Sequence, residues 1–407
     1  MSLFAERAQM ARDDFALTDE TLPQVRHICQ LVDGSPLGIA LAAAWVRRRS
    51  LAQIGAGIAQ SLDFLTTRLR DVDQRHRSMR AVFEASWALL AADEQAVLAA
   101  LSIFPASFDA DAAQAIAGAG LFELDGLCEK SLVQQDAAAE RYSLHSLVRQ
   151  FAAEKLGEGT AAVADIDRAF VAYFYQFAQT ERDNYEALQP EWRNLDTAVS
   201  KAHALADWAT VLGLVAALDE PWFRQIRFAE MRAGLRLAVA AAEQVGDEAA
   251  LARWLLRLGE VEVELNDYGA AAEHLARAER WLLRLEDGLG LAQVKYLHGR
   301  VQVEQGQSEP AQQHLAEAKR LYEAEEAWAD VAKTLNLSAL CHLTYSIDLQ
   351  LARTKLEQSL AVQSQLAPSI VYVEALRYLA RIEGVFEAYE QAEAHLREAA
   401  DVAQAQR

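Results

Sequence analysis

The sequence predicts an all-α protein, and three observations carry that prediction. A leucine flanked by small residues recurs at a step of about 40 residues through the C-terminal half, Ala and Leu dominate the composition, and strand-favouring runs are nearly absent. Only 7 Pro and 19 Gly occur in 407 residues, a length that allows two or three domains. The recurring leucines are Leu195, Leu235, Leu275, Leu315, Leu356 and Leu396, so the steps are 40, 40, 40, 41 and 40. Three residues after each stands a small side chain: Ala198, Ala238, Ala278, Ala318, Ser359 and Ala399. Four residues before stand Ala271, Ala311, Ala352 and Ala392, with Glu191 and Met231 in the two early copies. A period of this size marks stacked repeats, each unit covering its neighbour's apolar face.

From the N-terminus, Leu3–Arg12 reads as an amphipathic helix, followed by a loop with Thr18-Asp19-Glu20. A second helix starts at Pro23, well placed in a first turn, and runs to Val32, where Asp33-Gly34-Ser35-Pro36-Leu37 breaks it. Gly38–Arg48 is a third helix, dense in Ala and Leu, with basic residues at the end the helix dipole favours. Ser131–Gln135 and Arg141–Leu144 form one strand pair across a short Asp-Ala-Ala-Ala-Glu connection. Helices on either side make a three-helix core with one wing, its expected interior being Trp87, Leu90, Leu98, Leu101, Phe104, Leu124, Leu127, Leu132, Leu144 and Leu147.

Beyond Asp165 the pattern predicts about six antiparallel helix pairs. Leu255, Leu258 and Gly259 precede the turn signal Asp267-Tyr268-Gly269, and Ala271, Leu275 and Ala278 follow it. Leu297 and Gly299 stand in the same relation to Ala311, Leu315 and Ala318, as do Leu379 and Ala380 to Ala392, Leu396 and Ala399. Small residues belong where two helices cross closely, larger ones where a gap must be filled. The first pair, Ala169–Glu181 with Pro190–Leu205, is the most divergent, and its stripe Phe170, Tyr173, Phe174, Phe177 reads as core. A small residue at the eighth place, Ala at the twentieth, a large apolar residue at the twenty-fourth and Ala at the twenty-seventh resembles the tetratricopeptide repeat (TPR). The unit is longer than the roughly 34-residue consensus, and HEAT-like pairs share the length but fit the Ala positions less well.

The first 160 residues resemble the C-terminal part of NB-ARC domains in bacterial signal-transduction ATPases (the STAND class). Gly34-Ser35-Pro36-Leu37 is similar to the GxP motif. Arg75-His76-Arg77-Ser78-Met79-Arg80 leading into Ala85-Ser86-Trp87 is similar to the entry into the winged helix. Leu144-His145-Ser146, opening Leu147-Val148-Arg149-Gln150-Phe151-Ala152, resembles the MHD-motif region, with Ser146 where an acid is usual. The resemblance runs in family order from about Leu3 to Leu156. It implies a helical subdomain over 1–72, a winged helix over 73–160 and a TPR-like α-solenoid sensor over 161–407. By the same resemblance Pro36, with Leu37 beside it, would pack on the adenine of ADP, and His145 would approach its β-phosphate. The chemistry suits, since proline offers an apolar face without a donor and histidine supplies an N–H or a positive charge.

No catalytic residue is expected. A phosphate loop needs the GxxxxGK[ST] pattern, and no Gly-Lys pair occurs; Gly55-Ala56-Gly57 and Gly118-Ala119-Gly120 lack both the lysine and a preceding buried strand. The chain therefore reads as such a protein without its nucleotide-binding half, with no cofactor of its own, ADP, ATP and Mg being left to the parent. No Ser/His/Asp set, paired-His metal motif or thiol–His arrangement stands out, and no metal site is expected. His274 and His314 fall at equivalent repeat positions and read as structural.

Charge narrows the partners. The net −20 divides into 15 Lys+Arg against 21 Asp+Glu up to Gly159 and 24 against 38 beyond it, so the repeats carry most of the acidity. Such a balance opposes nonspecific binding to nucleic acid or an anionic membrane. The winged helix's recognition segment, Phe122–Lys130, holds Glu123, Asp125 and Glu129 against one lysine, so DNA readout there is not expected. Arg68, Arg70, Arg75, His76, Arg77 and Arg80 form the one basic concentration, read as a solvated linker face. Cys29, Cys128 and Cys341 are far apart and read as buried free thiols, and no apolar run approaches a membrane span, so the cytoplasm is the expected compartment. Expected partners are a protein, peptide or small-molecule inducer on the repeat groove, with Trp254, Trp281 and Trp328 as candidate groove aromatics, and the parent's nucleotide-binding domain. The alternatives are a non-enzymatic scaffold for protein–protein interaction and, less favoured by the charge, a winged-helix transcription regulator.

Overall fold

The computed structural model describes residues 1–32, 34–60, 64–65, 79–157, 160–364, 366–367 and 369–405. Among the described residues its regular structure is helical apart from one two-stranded sheet, and the chain divides into two compact units, Met1–Leu218 and Asp219–Arg407.

In the first unit α1 (Ser2–Ala11), α2 (Leu22–Leu31), α3 (Pro36–Ala43) and α4 (Leu51–Gln60) enclose Phe4, Val25, Ile28, Ile54 and Ile58, each almost wholly buried. The third helix tightens into a 3-10 turn at Ala44–Arg47 instead of continuing to Arg48 as α-helix. The winged helix follows as α5 (Met79–Trp87), α6 (Ala92–Leu101), α7 (Ala110–Ala117), α8 (Leu121–Glu129), β1 (Gln134–Asp136), β2 (Arg141–Ser143) and α9 (Ser146–Gly157). Nine of its ten predicted interior residues are buried, and Trp87 is half-buried, edge-on to Phe151 at 5.8 Å. β1 starts later than the sequence predicts. Ser131 adopts a left-handed φ of 57°, and the amides of Leu132 and Val133 bond the Leu127 carbonyl, closing α8 and leaving only Gln134–Asp136 to pair with Arg141–Ser143. Phe108 adds an isolated bridge to Tyr142. Next come α10 (Thr160–Glu181), α11 (Tyr185–Leu188), α12 (Trp192–Ala204) and α13 (Trp208–Arg224), the last of which contains the boundary between the units.

The second unit is periodic. Its helices are α14 (Phe228–Val245), α15 (Glu248–Glu264), α16 (Tyr268–Arg284), α17 (Gly288–Glu304), α18 (Ser308–Ala324), α19 (Trp328–Cys341), α20 (Leu349–Gln363), α21 (Ile370–Val385) and α22 (Tyr389–Ala405). Leu235, Leu275, Leu315 and Leu356 are buried, as are Ala238, Ala278, Ala318 and Ser359. The glycine at the crossing has a steric reason: a Cβ on Gly259 would lie 2.7 Å from Leu275 Cδ2, and one on Gly299 equally close to Leu315. The final anchor differs. Leu396 is 51% exposed and Ala392 half-buried.

Turn geometry repeats at half the sequence period. Left-handed residues occur at Gly246, Asn266, Glu286, Gly306 and Glu326, each 20 positions after the last, so every turn between these 17- or 18-residue helices has one shape. Asp247, Asp267 and Asp287 follow three of them and accept the N–H three residues on, capping the next helix. After Glu326 the next left-handed residue is Ile347, a step of 21, and between them His342–Ser346 is a π-helix. The extra residue of the 41-residue step is therefore taken up inside one widened turn.

Candidate functional site

Two of the motif segments meet within the first unit. The Gly34 amide bonds the Cys29 carbonyl at 2.9 Å, ending α2, and Ser35 caps α3 by accepting the Gly38 N–H at 3.3 Å. Pro36 thus sits at the first helical position, where it is exposed and its missing N–H costs nothing; Leu37 is half-buried against the core. At the start of α9, His145 Nδ1 accepts the Leu147 N–H at 3.2 Å, which places the proton of the neutral ring on Nε2. Ser146 donates its hydroxyl to the Leu31 carbonyl at 2.9 Å, across 115 residues of chain. Leu147 and Phe151 complete the core formed by Val25, Ile28 and Val32. An ionised acid at position 146 could only accept, so it could not replace this donor. Asp33 and the basic residues Arg68, Arg70, Arg75, His76 and Arg77 lie outside the described residues. Arg80 pairs with Glu154 at 2.6 Å and Lys155 with Glu84 at 3.1 Å, binding α5 to α9.

A second constellation joins the wing to the first helix pair. Arg141 on β2 reaches Glu191 at 2.5 Å and also donates to the hydroxyl and carbonyl of Ser107 at 2.9 and 2.7 Å. Asn194, fully buried, donates to the same carbonyl at 2.9 Å and to Glu191 at 2.6 Å. Burial pushes the Glu191 carboxyl up, and the bonds from Arg141 and Asn194 pull against it. Burial and the nearby acids Asp109, Glu191 and Asp111 push the Tyr173 phenol up to about 12. Phe104, Phe108, Phe170 and Phe174 pack together, Phe104 stacked on Phe108 with centroids 4.3 Å apart and edge-on to Phe170 at 5.6 Å. The sequence offered one clue, since Glu191 occupies the place where later repeats carry alanine.

The second unit separates the three candidate tryptophans. Trp254 is buried in α15 under the Arg253 guanidinium at 4.4 Å. Trp281 is half-buried with Arg284 at 4.7 Å over its ring, and lines a cavity of about 620 Å³ with Glu243, Asp247, Glu248, Arg277 and Arg280. Arg277 and Arg284 there pair with Glu243 and Glu248, at 2.6 and 3.1 Å. Trp328, 43% exposed, opens α19. The recurring histidines are structural: His274 bonds the buried Glu262 at 2.7 Å, His314 the amide oxygen of Gln302 at 2.9 Å and His395 Glu383 at 2.8 Å. Glu262 also meets Arg236 at 3.3 Å. Desolvation and the neighbouring His314 hold the His298 imidazole below its usual range.

Of the cysteines, only Cys341 is buried; Cys29 and Cys128 are half-buried, and burial with Asp125 pushes the Cys128 thiol up. Among the described residues no three His, Cys, Asp or Glu side chains are grouped to hold a metal, and no helix is long and apolar enough to cross a membrane.

No protein-family model matches the chain. It is similar to a protein of Mycobacterium tuberculosis named "Putative HTH-type transcriptional regulator", with 32% identity over 286 residues, covering 63% of this chain and 32% of the relative. A relative of the same printed description in Mycobacterium bovis matches equally. An uncharacterized protein of Mycobacterium tuberculosis is 34% identical over 179 residues, 41% of this chain and 45% of its own. The chain thus spans about a third to under a half of the length of these relatives. Among solved structures, a signal transduction ATPase with numerous domains and a tetratricopeptide repeat sensor from Pyrococcus horikoshii aligns at 12% identity with a TM-score of 0.46, covering 97% of this chain and 71% of that one. Aspartyl phosphate phosphatase F of Bacillus subtilis aligns at 12% identity with a TM-score of 0.43, covering 96% of each.

Proposed function

We propose that this chain is the regulatory and sensing portion of a cytoplasmic signal-transduction ATPase of NB-ARC type. The helix-pair array binds a protein, peptide or small-molecule inducer, and the winged helix couples that binding to ADP or ATP held by a separate nucleotide-binding half. The observation that carries this reading is the Ser146–Leu31 bond with the shared core around Leu147 and Phe151, which brings the GxP-like turn and the MHD-like segment into one body. The names of the mycobacterial relatives support a regulatory role, with transcription as the output.

In this reading Pro36 and Leu37 present an apolar face to the base, and His145, its Nδ1 engaged by the Leu147 amide, offers Nε2–H toward phosphate. ADP is the ligand that would bridge this segment to the other half. The chain itself hydrolyses nothing, because it supplies no phosphate loop. The inducer acts by its differential affinity for closed and open arrangements, as linkage requires.

The purified chain is expected to show no ATP turnover. In a protein that also carries the nucleotide-binding half, His145→Ala should shorten ADP retention by roughly ten-fold, a coupling of ordinary size. Measured turnover by the chain, or unchanged retention in the variant, would sink the reading.

A further inference from the structure

Helix α8 is divided along its length. Leu124 and Leu127 are fully buried and hold it to the winged-helix core, whereas Leu121 is 62% exposed and Phe122 91%, the highest value for a large apolar residue among those described. Asp125 and Glu129, both exposed, continue the Phe122 face at three and seven residues along the helix. Lys130, which caps the C-terminal end of the helix, is tied to Glu94 and does not neutralise them. Leu121 and Phe122 stand mostly in water, which meets an apolar step with an acidic run beside it. Exposed apolar residues grouped within a polar surround mark interaction sites.

We infer that this face of α8 docks a basic amphipathic helix of a partner protein, its apolar residues covering Leu121 and Phe122 and its cations lying over Asp125 and Glu129. Charge decides the occupant. Duplex DNA and anionic lipid bring phosphate to two uncompensated carboxylates, and a second copy of this chain would set the same acids against each other. A helix with apolar anchors at three- and four-residue spacing and lysines or arginines at its flanks complements both features at once. The inference is independent of any nucleotide-linked role for the chain.

The test uses the full chain and a fluorescein-labelled helical peptide of about 18 residues, built from leucine and lysine only, read by anisotropy beside its leucine–glutamate counterpart and a mixed-sequence DNA duplex. The leucine–lysine peptide should bind, and Leu121→Ser with Phe122→Ser should weaken it by about ten-fold or more, the scale of an interface anchor. Asp125→Lys with Glu129→Lys should transfer the preference to the leucine–glutamate peptide. All four positions are exposed, and Phe122→Ser alone serves as the second variant if the pair lowers the melting temperature. Binding unchanged in the serine variants, no binding by the wild type, or duplex binding that the serine variants abolish would each overturn the inference.

Discussion

In three copies of the second unit the position four residues before the anchoring leucine is Ala271, Ala311 or Ala352, each with no exposed surface. In the first helix pair the same position is Glu191, 4% exposed and bonded to Arg141 of the wing. The repeats use that place to let two helices approach; the first pair uses it to receive a charge from the wing. Aromatic packing differs in the same sense. Phe104, Phe108, Phe170 and Phe174 form a cluster found once, whereas the second unit reuses Leu, Ala and Gly at fixed intervals. A unit built from unique contacts is sensitive at particular residues, and a unit built from repeated ones spreads its stability over copies.

That contrast can be broken most forcefully at the wing. Arg141→Met leaves Glu191 buried without its partner and should cost about 3–5 kcal/mol in denaturant unfolding, while adding Glu191→Met should restore most of it. An equal loss in the double variant would mean that packing, not charge, holds the joint. Next in size, Leu275→Ala should cost about 2–5 kcal/mol, whereas the equivalent Leu396→Ala should fall within about 0.5 kcal/mol because its side chain is half in water. Gly259→Ala should cost about 1–3 kcal/mol, since the new methyl group meets Leu275, and a smaller side chain at 275 should relieve it. The smallest effect is a gain: Glu286→Gly and Glu326→Gly, at φ of 55° and 56°, should each stabilise by about 0.5–1 kcal/mol, visible as a raised melting temperature.

What could be read from the sequence follows the same division. The helix pairs were legible because Leu275, Leu315 and their neighbours repeat a local pattern, and periodicity needs no knowledge of the fold. The left-handed turns were only partly legible, since Gly246 and Gly306 announce them but Glu286, Glu326 and Ile347 do not. The exposure of Leu396 was not legible, because pattern alone does not say whether a neighbour covers the last copy. Within the candidate site, Pro36 and His145 stood out by resemblance. The Ser146–Leu31 bond and the Arg141–Glu191–Asn194–Ser107 network did not, because, apart from the local Glu191–Asn194 bond, their partners are 34 to 115 residues apart in sequence and only folding pairs them. Glu191 was the visible trace: a residue that breaks a period is a place to look for a long-range partner.

The widened turn at His342–Ser346 bears on how such an array changes over time. A single inserted residue, placed in an ordinary helix, would rotate everything after it by about 100° and turn buried faces outward. Here the bulge swallows the insertion, and Leu356 remains buried 41 residues after Leu315. Lengthening is thereby decoupled from re-threading, and the array gains a turn that can be reshaped one residue at a time while downstream copies keep their fit.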